Sequence, residues 1–219
     1  MLQDALSGRI VLDPVLRSIA CTVGRYSIPH EHLFAIIEGV RSDLTRSRYE
    51  TTDGLIRYCR KVASAVGLAA CPIWGIRQGI SSEEWMVPAD ACGLAFQWTN
   101  ILRDLVEDKE RRRVYISEES FHEAGCDVED FLFGRIGPEF DVLARNEISR
   151  AHRWFAEARH LDDFLSSEGQ RVFRAMYGVY RELLQTVEKA GSAIFTQRIR
   201  GSKWRLSVMG VYSVIKGIS

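Results

Sequence analysis

Residues 93–108 read GLAFQWTNILRDLVED and favour a helical fold. On a helix that turns about 100° per residue, Gln97, Asp104 and Asp108 fall within about 40° of one another. Asn100 lies about 60° to one side of Gln97. The other side carries an apolar stripe of Leu94, Trp98, Ile101 and Leu105. The segment therefore predicts a helix whose polar stripe borders the protein core.

The same helical spacing continues along the rest of the chain. Apolar residues recur mostly at intervals of three and four, and only five prolines occur. Asp13 and Pro14 suit the N-cap and first position of a helix that reaches Tyr26. Because no internal repeat or low-complexity tract is evident, we predict one all-α domain over residues 1–219. Further helices are predicted at residues 1–8, 29–44, 55–76, 89–109, 120–125, 137–160, 168–190 and 203–215.

Composition excludes several classes of partner and compartment. The 29 basic and 29 acidic residues balance, so no global field favours nucleic acid or an anionic membrane surface. The five cysteines are odd in number and form no CxxC pair, which favours a reduced setting. No leader and no apolar run of roughly 20 residues is evident. We therefore expect a cytoplasmic protein.

Asp104 and Asp108 are candidate metal ligands. Two carboxylates one turn apart beside a core repel each other and are costly to desolvate unless a cation compensates them. Mg²⁺ accepts one or two protein carboxylates and completes its shell with water and substrate phosphate oxygens. Arg103 and the basic run that follows offer charge-assisted bonds to phosphate, the run being Lys109, Arg111, Arg112 and Arg113.

The spacing of these carboxylates alone leaves a second reading open. An isolated acidic pair is often a solvated stretch that pairs with nearby arginines. The longer string decides between the readings, because GLAFQWTNILRDLVED followed by Arg113-Val-Tyr115 resembles the second signature of the squalene/phytoene synthase family. Ser117 stands where that signature usually ends in proline. The resemblance implies that Asn100, Arg103, Asp104 and Asp108 contact a metal-bound diphosphate and that Gln97 lines the site.

Residues 58–67, YCRKVASAVG, are similar to the first signature of the same family. Small side chains keep one helix face thin, so that an isoprenoid chain can lie against it in an apolar pocket. The alternative is close packing of two helices. On the first reading Val62, Ala63, Val66 and Gly67 bind substrate. Tyr58 would stand at the mouth of the tunnel, where it could bond phosphate or face a carbocation.

Two further segments are similar to parts of the family pattern. Residues 39–49 match the segment that precedes the helix predicted at 55–76, which we call the tunnel helix. We interpret Asp43 and Tyr49 in this segment as structural. Tyr180 falls in a segment like the late tyrosine helix, where it either faces the cavity or packs in the core. Arg198 and Lys203 are similar to the basic tail.

The family pattern also contains a part that has no match in this sequence. The family carries two DxxxD motifs that face each other across the cavity, and neither Asp4, Asp13 nor Asp43 has an acidic partner four residues later. The resemblance thus implies an isoprenoid-synthase-type helical bundle that is N-terminally truncated. The chain would be a remnant, a sequence whose true start lies upstream, or a subunit completed by another chain. We expect weak or absent activity from it alone, and association through the uncovered apolar face, for example as a homodimer.

The resemblance implies Mg²⁺-dependent, head-to-head condensation of two farnesyl or geranylgeranyl diphosphates. The product would be presqualene diphosphate, squalene or phytoene, which are precursors of hopanoids or carotenoids. NADPH would enter only in a squalene-forming reaction, and no nucleotide fingerprint is present. Peripheral membrane association would follow from the apolar product. The alternative is a catalytically impaired protein that binds prenyl diphosphates. The implied catalytic residues are Tyr58, Arg103, Asp104 and Asp108.

Overall fold

Helices make up nearly all the regular structure of this computed structural model, which describes residues 1–9 and 12–199. Within them the sole β-type pairing is an isolated bridge between Ile76 and Leu165. The all-α prediction is therefore confirmed, while the predicted helix at residues 203–215 lies outside the described residues. The α-helices are α1 Leu2–Leu6, α2 Pro14–Tyr26, α3 His30–Ser42, α4 Thr52–Cys59, α5 Ala65–Trp74, α6 Ser82–Glu110, α7 Glu118–Ala124, α8 Val128–Phe133, α9 Glu139–Ala158 and α10 Ser167–Ala190.

Helix α2 has the bounds that the sequence predicts, for the expected reason. The Asp13 carboxylate accepts hydrogen bonds from the backbone N–H groups of Val15, at 2.8 Å, and Leu16, at 3.2 Å. Pro14 occupies the first turn, where its missing N–H costs nothing. The helix ends where Ser27 adopts a left-handed conformation with φ of 51°.

The tunnel helix is longer at its start than predicted and is interrupted by a π-helical segment. Thr51 caps α4 by accepting a hydrogen bond from the Gly54 N–H at 3.1 Å, so the helix begins at Thr52. Arg60–Ser64 then form a π-helical segment that leads directly into α5. Such segments widen a helix locally and often mark functional sites. Helix α5 ends at Trp74 and is followed by the C-cap residue Gly75, whose φ is +98°.

Helix α6 is the central element and carries the residues 93–108. It begins at Ser82 rather than residue 89, because Ser81 and Glu84 form a reciprocal capping box. The predicted apolar stripe is buried, since Leu94, Trp98, Ile101 and Leu105 are all at most 2 % exposed. Helix α9 packs along α6, and the Trp98 indole donates to the Glu147 carboxylate at 3.0 Å.

The π-helical segment lies directly against the middle of α6. A Cβ atom added to Gly93 would lie 2.3 Å from the Cα of Ser64, so a side chain at position 93 has no room. The Ser64 hydroxyl donates to the backbone carbonyl of Asp90 at 2.9 Å and fixes the crossing. This close approach brings the first and second signatures of the sequence together.

The second half of the chain covers the other side of α6. Helix α7 begins at Glu118, two residues before the predicted start, because the Ser117 side chain caps it. The prediction missed α8, a short helix that Asp127 caps by accepting from the Glu129 N–H. Helix α9 ends at Ala158 and continues as a 3₁₀ segment, Arg159–Asp163.

An apolar groove of about 590 Å³ lies between α2, α3 and α5. Its walls include side chains that are well exposed, such as Val15, Val66 and Ile73. An uncovered apolar face was expected, and the association through it stays a prediction. None of the helices in residues 1–9 and 12–199 combines the length and apolar content that a membrane span needs.

Candidate active site

A cavity of about 240 Å³ lies between the π-helical segment and α5 on one side and α6 and α10 on the other. The structure brings together in its wall all seven residues predicted to bind substrate. These are Val62, Ala63, Val66, Gly67, Gln97, Asn100 and Tyr180. The cavity is also lined by residues that the sequence did not identify as substrate-binding, although some of them are small residues of the helix predicted at 55–76. They are Ala70, Cys71, Trp74, Ala89, Cys92, Gly93, Phe96, Leu161 and Met176.

One end of this cavity is polar. The Asn100 amide donates to the Tyr180 hydroxyl at 3.4 Å, and the Tyr180 ring stacks on Phe96 with centroids 4.0 Å apart. The Asn100 side-chain oxygen is buried and accepts no hydrogen bond from any residue that the structure describes. A buried acceptor without a donor is costly, so it favours a ligand or water at this end.

Asp104 and Asp108 follow on the same helix, one and two turns beyond Asn100. The Arg103 guanidinium donates to both oxygens of Asp104, at 2.6 Å from Nε and 2.5 Å from a terminal nitrogen. Burial, together with the negative charge of Asp104, raises the pKa of Asp108 to about 6, against the opposing charges of Arg111 and Arg113. The acidic pair is therefore only partly compensated by protein cations.

The pair can serve as a partial metal site. Among the described residues, no cluster of three or more His, Cys, Asp or Glu side chains could hold a metal ion. Two carboxylates with hard oxygen donors nevertheless suit Mg²⁺ whose remaining positions are filled by water and substrate phosphate. Burial and the charge of Asp104 disfavour the ionised form of Asp108 and raise its pKa, and a bound cation would stabilise that ionised form. The residues present thus fit a Mg²⁺ ion shared with a diphosphate.

Two side chains of the basic run at the end of α6 already have partners within the fold. The Lys109 amine donates to the Phe131 carbonyl at 2.9 Å, and it lies 5.0 Å from the centre of the Phe131 ring. The Arg113 guanidinium donates to the backbone carbonyl of Asp43 at 2.9 Å. Both side chains are thus engaged in contacts that hold the fold. Arg111 and Arg112 are exposed, which leaves them accessible to phosphate.

Tyr58 lies in a tyrosine cluster instead of in the wall of the cavity. Its hydroxyl donates to one Asp43 oxygen at 3.1 Å, and the Tyr115 hydroxyl donates to the other at 3.1 Å. The rings of Tyr58 and Tyr115 stack with centroids 5.5 Å apart, and Tyr49 lies 5.4 Å from Tyr58. Burial raises the pKa of Tyr58 far above its ordinary value, so this hydroxyl stays protonated. Tyr58 thus lies one turn before Val62 of the cavity wall, and its role at the tunnel mouth stays a prediction.

Asp43, which the sequence indicates as a structural residue, has partners that the sequence did not reveal. It joins the two signatures by accepting hydrogen bonds from Tyr58 of the first and Tyr115 of the second. The signal that could have revealed it is its place in residues 39–49, which resemble the family pattern. Leu161 and Met176 gave no signal of this kind, because they reach the cavity only through packing of distant segments.

Solved structures share this arrangement of helices. The squalene synthase HpnC from Alicyclobacillus acidocaldarius superposes with a TM-score of 0.80, at 24 % identity, over 87 % of this chain and 70 % of that one. A dehydrosqualene synthase crystallised with a ligand gives a TM-score of 0.79, at 24 % identity, over 99 % of this chain and 76 % of its own. The fold is therefore the all-helical isoprenoid-synthase type.

The squalene/phytoene synthase family model matches residues 2–205, and the chain belongs to that family. Phytoene synthase 2 from Solanum lycopersicum is 35 % identical over 92 % of this chain and 66 % of its own length. Phytoene synthase 1 from Arabidopsis thaliana is 35 % identical over 90 % of this chain and 47 % of its own. The chain thus spans about half to two thirds of these curated relatives.

Proposed function

We propose that the chain binds prenyl diphosphates and joins two of them head to head, as a Mg²⁺-dependent prenyltransferase. One observation carries this proposal. A single helix, α6, lines the apolar cavity with Gln97 and Asn100 and presents Asp104 and Asp108 beyond its polar end. Asp104 lies four positions beyond Asn100 on the helix, a rise of about 6 Å. An amphiphile with an apolar tail and a charged head fits this order of residues.

The tail of the substrate would occupy the cavity. Its walls are mostly aliphatic or small, which permits close contact with an isoprenoid chain and excludes water from a reacting cation. Phe96 and Tyr180 present stacked rings near the polar end, where positive charge would develop at the first carbon of the chain. The unpaired oxygen of Asn100 offers a further negative dipole there.

The diphosphate head would bind beyond Asn100. Arg103 would exchange its bond to Asp104 for charge-assisted bonds to phosphate oxygens, leaving Asp104 and Asp108 to hold Mg²⁺. Bound Mg²⁺ supplies positive charge that stabilises the leaving diphosphate. The Arg103 pKa fits this role: burial alone would lower it, yet the hydrogen bond and charge of Asp104 raise it above the ordinary value. The guanidinium therefore stays charged when it binds phosphate.

The reaction that follows from the family is a condensation in two parts. The bond between the first carbon and its diphosphate breaks, and the diphosphate keeps the electron pair. The double bond of the second prenyl diphosphate attacks the allylic cation, and loss of a proton closes a cyclopropane ring. Tyr58, held by Asp43 one turn before Val62, would act from beside the cavity, and its ring, which packs on Tyr49 and Tyr115, would face these carbons only after a local rearrangement. The substrates are farnesyl or geranylgeranyl diphosphates, and NADPH is needed only for a squalene product.

A second candidate is a protein that binds prenyl diphosphates without catalysis. It is favoured by the fact that the described residues contain no group of three or more His, Cys, Asp or Glu side chains that could hold a metal ion. Ionisation of a prenyl diphosphate usually needs more positive charge than one carboxylate pair can hold. A homodimer or a complementing chain would supply the remainder. A weak peripheral association with membranes would follow from an apolar product.

The test separates these readings with one set of variants. The purified chain is incubated with Mg²⁺ and either farnesyl or geranylgeranyl diphosphate, and both bound ligand and released pyrophosphate are measured. Asp104→Asn and Asp108→Asn should abolish both signals, whereas Glu157→Gln, an exposed position on α9, should leave them unchanged. Release in the wild type supports the enzyme. Binding without release supports the second candidate, and absence of both contradicts the proposal.

A further inference from the structure

The cavity is a narrow slot with a defined direction. Residue 64 lies against residue 93, and a Cβ atom on Gly67 would lie 3.6 Å from the Ala89 carbonyl, so α5 and α6 run antiparallel along it. The polar end is therefore at Val62 and Asn100, and the opposite end is at Trp74. Residues 89 to 100 of α6 line the slot over a rise of about 16 Å.

The side chains along the middle of the slot are small, whereas its far end carries the largest lining side chain. Gly67, Ala70, Ala89 and Gly93 leave the path open. Trp74 stands at the last position of α5, where Gly75 ends the helix with φ of +98°. Because Trp74 also lines the slot, it stands at the end that a chain bound at the polar end would reach.

The wall that carries Trp74 is firmly held. The Ser166 hydroxyl donates to the Trp74 carbonyl at 3.1 Å, and Gly169 approaches the same carbonyl so closely that its Cβ would lie 3.1 Å away. Leu161, which also lines this part of the cavity, is 1 % exposed. These contacts hold the backbone that carries the indole, so the end of the slot is lengthened most directly by a change of this side chain.

We infer that Trp74 sets the longest isoprenoid tail that the slot accepts, as a specificity-determining residue. This inference rests on the proposed function, in which the slot holds a prenyl chain. Ligand pockets usually measure about 300–1,000 Å³, so the 240 Å³ slot has little spare room. Another isoprene unit would have to pass the indole. Replacing Trp74 by a small residue should therefore extend the slot, and filling its middle should shorten it.

The experiment uses prenyl alcohols, which carry the tail without the diphosphate. Equilibrium dialysis of the full chain measures the Kd of geraniol, farnesol and geranylgeraniol. Trp74→Ala should improve the affinity for geranylgeraniol relative to farnesol by about tenfold, a difference of roughly 1.4 kcal/mol. Ala70→Phe should act in the opposite direction and favour geraniol. Trp85→Ala is the matched control, because Trp85 belongs to the same apolar cluster but does not line the slot.

The outcomes separate this inference from the proposed function. If Trp74→Ala fails to fold, Trp74→Phe and Ala70→Phe still test the length of the slot. Unchanged ratios of Kd in the folded variants, or no binding of any alcohol, would overturn the role of Trp74. A length preference that shifts as expected, in a chain that binds no prenyl diphosphate with Mg²⁺, would sustain the slot and reject the proposed function.

Discussion

Arg103 holds Asp104 through two parallel hydrogen bonds, at 2.6 and 2.5 Å, so the candidate metal ligand is already paired with a cation. Both side chains are largely buried, with 19 % and 28 % of their surfaces exposed. Such two-point pairs are stronger than single ones. Binding of Mg²⁺ at Asp104 and of phosphate at Arg103 should therefore be coupled, because each ligand releases a partner for the other.

Arg103→Gln tests this coupling. Without the competing guanidinium, Mg²⁺ alone should bind more tightly, whereas the affinity for Mg²⁺ with inorganic pyrophosphate should fall by about 1.5–3 kcal/mol, the worth of hydrogen bonds to a charged group. Calorimetric titration with and without pyrophosphate measures both quantities. Arg153→Gln, on the exposed face of α9, is the control. A parallel loss of both affinities would contradict the coupling.

Binding of Mg²⁺ should depend on pH through Asp108. Its pKa is raised by burial and by Asp104 from 3.8 to about 6, so below about pH 6 the folded state holds a proton that the metal must displace. Affinity should thus be constant above pH 6 and fall as the pH drops through that value, by up to about tenfold per unit. Titrations between pH 5 and 7.5 measure it. A flat profile would show that Asp108 does not bind the metal.

The raised pKa of Asp108 also affects the stability of the fold. Its pH dependence has the opposite sign from that of a salt-bridged carboxylate, whose pKa is lowered by folding. Because the pKa of Asp108 is higher in the folded than in the unfolded chain, this group destabilises the fold as the pH rises from 3.8 to about 6, and the penalty persists above it. Asp108→Asn should therefore raise the Tm at pH 7 in the absence of Mg²⁺, with little change at pH 4. Thermal unfolding at the two pH values checks this, and a lower Tm at pH 7 would contradict it.

Much of this fold follows from local sequence, and the exceptions have identifiable causes. Asp13 and Pro14 mark the start of α2 correctly, because capping depends only on neighbouring residues. The sequence predicts the start of α6 at residue 89, but the Ser81 capping box begins the helix earlier. The π-helical segment Arg60–Ser64 has no local signature and arises where α6 passes at Gly93.

The candidate site was predictable where one helix carries it and less so where several segments meet. Gln97 and Asn100 share a face by helical geometry alone, and the structure places both in the cavity wall. The engagement of Lys109 with Phe131 and of Tyr58 with Asp43 depends on contacts between segments far apart in sequence. Such contacts are set by packing, which periodicity does not report.

Asp43 should be essential for the arrangement of the tyrosine cluster. Asp43→Asn leaves one oxygen to accept and places an N–H₂ group opposite the second hydroxyl, so either Tyr58 or Tyr115 loses its acceptor. A buried hydroxyl left unpaired costs about 1–3 kcal/mol. Urea unfolding measures the loss of stability. Glu50→Gln, an exposed acidic position nearby in sequence, is the control. Equal stability of Asp43→Asn and the wild type would contradict this role.

The crossing of the π-helical segment and α6 makes the sharpest structural prediction. In Gly93→Ala the new Cβ would meet the Ser64 backbone at 2.3–2.4 Å, so the two helices must separate, and overpacking of this kind costs about 1–3 kcal/mol or more. Gly178→Ala is the matched control, since nothing lies within 4 Å of its Cβ and α10 should gain about 0.5–1 kcal/mol.

Gly67→Ala separates the packing of this crossing from the binding of substrate. Its Cβ would make an ordinary contact with the Ala89 carbonyl at 3.6 Å, so stability should hold or rise, while the methyl group enters the cavity. Prenyl-alcohol affinity should therefore fall in Gly67→Ala but not in Gly178→Ala. Urea unfolding and equilibrium dialysis on the three glycine variants measure both effects. Equal stability of Gly93→Ala and Gly178→Ala would show that the two segments do not meet as described.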